Sequence, residues 1–182
     1  MSPGKMKKHT LFALTCSFVL LTASCAPNTA SSFQDLAEST LYHKAVLTTD
    51  KSCSIELDLN DLSNLCNTQV FDGEEGKIIL SAAEFVQPDT LELHFEAHGT
   101  MGQDLATIIT ACAYDESFLQ STISTVPSED IHTLYSLQTT EFETYGNQFS
   151  VSVFFSNNSH TQLETLQLTF SDLLLIAFTE KA

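Results

Sequence analysis

Between Thr90 and His98 apolar and polar residues alternate without a break. Leu91, Leu93, Phe95 and Ala97 form one set; Glu92, His94, Glu96 and His98 form the other. Alternate residues of a strand project from the same face. The polar set therefore stands in a row with neighbours roughly 6–7 Å apart. Imidazole and carboxylate together suit zinc or another transition metal, so His94, Glu96 and His98, with Glu92 beside them, are candidate ligands. The solvent face of an amphipathic strand collects the same residue types. The spacing is not that of the zinc proteases, whose two histidines lie four apart on a helix.

Thiols form the second group. Cys53 and Cys66 would close a short disulfide loop worth roughly 3 kcal/mol by the chain-entropy estimate. With Cys112 they make an odd number, and all three also fit as small buried apolar residues. Asp72-Gly73-Glu74-Glu75 lacks the oxygen spacing of a calcium loop and reads as a hairpin connection. Asn157-x-Ser159 fits a glycan acceptor by spacing alone. The chain has no Gly-x-Ser-x-Gly elbow, phosphate loop or dinucleotide fingerprint. No catalytic residue is nominated and no cofactor is expected; a non-enzymatic structural or interaction role is the leading expectation, with metal or small-ligand binding through Glu92, His94, Glu96 and His98 as the alternative.

The elements that must position these residues are mostly strands. Phe33, Leu36, Ala37 and Leu41 have helical spacing, which predicts a helix over 33–44. Strands are expected at 45–49, 53–60, 67–71, 77–86, 90–98 and 105–114. A second helix is expected after Pro127, capped by Ser128, with Ile131, Leu134, Tyr135 and Leu137 as its apolar stripe. Residues 139–145 and 148–155 are expected to pair as a hairpin across Gly146-Asn147. Strands follow at 163–170 and 173–178, the last read as fully buried. Connections are too short for parallel crossovers. The expected class is α+β or mainly β, a largely antiparallel sheet with one or two short helices in a single domain over 33–182.

Charge bounds the partners. The 182 residues hold seven lysines, no arginine and 23 acids, for a formal net charge of −16. Such a chain lacks the cations that nucleic acid requires. It is also unsuited to electrostatic docking on anionic lipid. It permits a basic protein partner or divalent cations, and it also serves solubility through repulsion from neighbours.

The first 25 residues have a layout of their own. Lys5, Lys7, Lys8 and His9 precede an apolar run of about 11 residues, Leu11 to Leu21. A bilayer span needs roughly 20. Small residues Thr22-Ala23-Ser24 then end at Cys25, the layout of a secretory signal. Leu21-Thr22-Ala23-Ser24-Cys25 resembles the lipobox of bacterial lipoprotein precursors, although that family prefers leucine where Thr22 stands. The resemblance implies a signal peptide over 1–24 and a diacylglyceryl group on the Cys25 sulfur. It also implies an acylated tether over 25–32 and a place in the bacterial cell envelope, held at a membrane by lipid. In that family Ala26, lacking an acidic side chain, favours the outer membrane. The resemblance covers no part of the chain beyond Cys25.

Overall fold

The computed structural model describes residues 30–102, 105–115, 117–137, 141–156 and 161–181. The signal, Cys25 and most of the tether lie outside the described residues, as does Asn157-x-Ser159. The first described element is capped by Ser32, whose hydroxyl accepts a 3.1 Å hydrogen bond from the Asp35 N–H. This opens helix α1 (Phe33–Glu38), which buries Phe33 and Leu36. The helix stops six residues short of the expected end. Ser39 is already extended, and Tyr42–Thr48 forms strand β1. Ser39-Thr40 are weak helix formers, and the following tyrosine and valine fit a pleated surface better.

The chain continues through β2 (Ser52–Asp58), a 3-10 turn (Leu62–Leu65), β3 (Thr68–Gly73) and β4 (Gly76–Gln87). Next come β5 (Thr90–Met101), β6 (Leu105–Thr110), β7 (Cys112–Asp115), β8 (Ser117–Gln120) and β9 (Thr122–Val126). The last four strands are β10 (Ile131–Leu137), β11 (Gly146–Phe155), β12 (Thr165–Ser171) and β13 (Leu174–Glu180). The protein is mainly β and its sheets are antiparallel.

An eight-stranded sheet runs β1-β13-β6-β5-β11-β10, with β4 also paired to β5 and β3 paired to β4. A three-stranded sheet, β2-β12-β9, packs against it, and β7-β8 is a separate hairpin. Strand β5 is the hub. Thr90–His98 pair with β4 and with β11, and Thr100 and Met101 pair with β6. Its inner residues Leu91, Leu93, Phe95 and Ala97 are buried, as are Phe149, Val151, Val153 and Phe155 of β11. Leu166, Leu168 and Phe170 of β12 cover them. Phe95 stacks on Phe149 at 4.9 Å and meets Phe170 edge-on at 5.4 Å. Each buried ring contributes roughly 2–3 kcal/mol by area, and each ring pair about 1 kcal/mol more.

Three expectations give way here. The expected helix after Pro127 is strand β10. Ile131 and Tyr135 are buried, Thr133 and Leu137 half-buried, and Leu134 is 60% exposed. The sequence carries both a period of 3.6 and a period of 2 over this stretch. Pairing with β11 from Ile131↔Phe155 to Leu137↔Phe149 selects the second. Among the described residues the expected hairpin between 139–145 and 148–155 is reduced to an isolated Glu143↔Gly146 bridge, because β10 and β5 occupy both edges of β11. Strand β13 is buried on one face rather than two, with Leu174, Ile176 and Phe178 inward and Leu175 and Ala177 half-exposed. No helix among the described residues is long and apolar enough to cross a membrane.

Candidate functional site

The outer face of β5 carries Glu92, His94, Glu96 and His98 as the alternation requires, each half-buried. Neighbouring strands frame them. Glu92 lies between Glu84 and Ser152, His94 between Ala82 and Ser150, Glu96 between Ile79 and Gln148, and His98 between Lys77 and Gly146.

Along the strand the four residues resolve into two pairs. His98 Nε2 is 2.8 Å from Glu96 Oε2, and His94 Nε2 is 3.8 Å from Glu92 Oε1. The His98 ring also stacks on Tyr145 at 4.4 Å and 19°. The Gln148 side-chain amide donates to the Tyr145 hydroxyl. Burial pushes the Tyr145 phenol above its ordinary range, the carboxylates of Glu96 and Glu143 push the same way, and Gln148 opposes them.

The residues therefore share a face but do not converge. Among the described residues no group of three His, Cys, Asp or Glu side chains is arranged to hold a metal ion. A strand spaces its same-face side chains too widely for three to reach one point without a ligand from a neighbouring strand. Here the nearest cross-strand neighbours of the two histidines are Ala82, Ser150, Lys77 and Gly146.

Sequence reading did not nominate Tyr145 or Gln148. Their place beside His98 and Glu96 depends on the β5–β11 register. The one local signal was Gly146. Its φ is +150°, and a Cβ there would stand 1.9 Å from the Ala97 carbonyl oxygen. Only glycine fits that approach.

The candidate pair Cys53 and Cys66 is not joined in this structure; both thiols are free. Cys53 is half-buried on β2 against the core, whereas Cys66 follows the 3-10 turn and is exposed. The two sulfurs face different surroundings. Burial alone pushes the Cys53 thiol up to about 12, and pushes the buried Cys112 thiol up as well.

The acidic loop is a two-residue turn, Glu74-Glu75, closed by the Gly73↔Gly76 pair. Glu75 is held by Lys51, at 2.9 Å.

Comparisons with models of protein families, with curated proteins and with solved structures find no match to this chain.

Proposed function

We propose that this chain is a lipid-anchored protein of a bacterial envelope that works by association rather than by catalysis. The observation that carries the reading is the seating of Phe33. Its side chain is 1% exposed, its ring lies 6.0 Å from that of Phe178, and its N–H donates to the Thr144 carbonyl. Helix α1 is thus fixed to the core at its cap Ser32, seven residues after Cys25, the position that would carry the lipid. At roughly 3.5 Å per residue, seven residues reach about 25 Å at most. Two or three acyl chains on one cysteine would hold such a body beside the bilayer, because each buried methylene contributes about 0.8 kcal/mol.

The polar residues of β5 support the non-catalytic half of the reading. They are matched with each other, histidine to glutamate, rather than aimed at a common point. Net charge supports a basic partner: all 23 acids lie after Cys25, against Lys44, Lys51, Lys77 and Lys181. Mass spectrometry of the mature amino end tests the anchor. A diacylglyceryl-modified Cys25, lost in Cys25→Ala, is expected; an unmodified terminus at another residue overturns it. Association is tested by capture from envelope extract at low and high salt. Opposite charges steer encounter within a Debye length of about 8 Å at physiological ionic strength, so binding should slow as salt rises.

A further inference from the structure

The chain passes from β9 to β10 through only Pro127–Asp130, and in doing so changes sheet. Strand β9 is an outer strand of the three-stranded sheet, and β10 an outer strand of the eight-stranded one. The two do not pair with each other: β9 bonds β12 and β10 bonds β11. Between them lies a groove of about 360 Å³, walled by Gln120 to Ile123 on one side and by Thr133, Leu134 and Tyr135 on the other. Its floor is fixed by a 2.7 Å hydrogen bond between the buried Ser121 and Tyr135 hydroxyls.

An outer strand turns half of its N–H and C=O groups away from its one neighbour. Natural edges are blunted by charge, proline or a bulge. The other outer strands of this sheet follow that rule. Strand β1 carries Lys44, tied to Asp115 at 3.4 Å, and β3 carries a register shift between Gln69 and Phe71. Strand β10 carries neither device. Ile131 to Leu137 contain no lysine, acid or proline, and the register with β11 is unbroken. Val126 and Leu134, at 64% and 60%, are the most exposed large hydrophobics among the described residues.

Charge selects the occupant. The exposed Glu129 and Asp130 stand at the entrance to β10, on a chain of net charge −16. A second copy would bring the same negative charge to the same edge. We propose that the outer edge of β10 accepts an extended strand from a basic partner protein. The incoming strand makes a backbone ladder along Ile131–Leu137, sets alternate side chains into the groove, and places Lys or Arg beside Glu129 and Asp130. This rests on the association reading above.

The test uses the full chain in detergent and a synthetic peptide that alternates valine and threonine with lysine at both ends. Saturable binding is expected, with exchange protection appearing on β10 amides. Leu134→Lys, at a 60% exposed position outside the buried core, should weaken binding about tenfold, because a lysine repels both the edge partner and its charge. Absence of binding, binding without protection on β10, or binding unchanged by Leu134→Lys overturns the proposal. Equal binding of a glutamate-ended peptide overturns the charge selection. A dimer in sedimentation that Leu134→Lys dissociates assigns the edge to a second copy instead. Capture from envelope extract separates the two levels. A basic partner held equally by wild type and Leu134→Lys leaves association standing and removes the edge; no partner in either removes association itself.

Discussion

Phe33 fills the space above Gly99: a Cβ built on Gly99 would stand 2.2 Å from Phe33 Cζ and 2.5 Å from the Thr107 carbonyl oxygen. The bare backbone of β5 is thus the seat on which α1 rests. Gly99→Ala should lower stability by about 1–3 kcal/mol through overpacking, and Phe33→Ala by about 3–5 kcal/mol through the cavity it leaves. Thermal and urea unfolding of the full chain check both. Gly99→Ala with Phe33→Leu should recover only part of the loss, because the Thr107 oxygen remains in the way.

Thiol reactivity should follow burial. Cys66 is exposed and should be alkylated first in the folded protein. Cys53, pushed up to about 12 by burial, should label far more slowly, and Cys112 only on unfolding. Peptide mapping after timed alkylation checks the order. Co-elution of Cys53 and Cys66 as a linked pair would contradict the free thiols.

The Lys51–Glu75 pair gives a pH dependence with a definite sign. The hydrogen bond that the Lys51 ammonium donates to Glu75 holds this carboxyl below the ordinary carboxylate range. A depressed carboxyl stabilises the fold above its unfolded value, and that contribution disappears as pH falls through the folded value. Glu75→Gln should therefore cost less than about 1 kcal/mol at neutral pH, as expected for a partly exposed pair. The difference from wild type should vanish in acid below the folded value. Urea midpoints of both proteins across that range test it.

Zinc provides a check on the β5 face. Two separate His–Glu pairs offer two ligands each, short of the three or four that a zinc site uses. Added zinc should leave the melting temperature of the full chain essentially unchanged, and His94→Ala with His98→Ala should not alter that response. Stoichiometric zinc in elemental analysis, lost in the double variant, would instead make this face a metal site.

Strict alternation made the centre of the fold legible in the sequence. Residues 90–98 and 149–155 have only one period, and their inward sets are buried as read. Residues 131–137 satisfy two periods, and there only the partner strand decides. The expected hairpin over 139–155 failed for a related reason. Gly146 was read as a turn residue, whereas it is needed for close approach to Ala97 on β5. The row of Glu and His was legible; its division into pairs and its contact with Tyr145 depended on register and rotamers. The β9–β10 groove was hidden because a change of sheet across four residues leaves no mark in composition.

Strand β5 has a consequence for how the molecule breathes. Over Thr90–His98 it is bonded along both edges and closes the core on its inner side. Successive β5 amides donate alternately to β4 and to β11, so freeing all of them means parting both inner ladders, whereas outer strands such as β1 and β10 can fray while β5 stays closed. Deuterium uptake should therefore reach the β5 amides last. Their common rate would report the free energy of unfolding the whole body, so one peptide from the middle of the chain serves as a gauge for all of it.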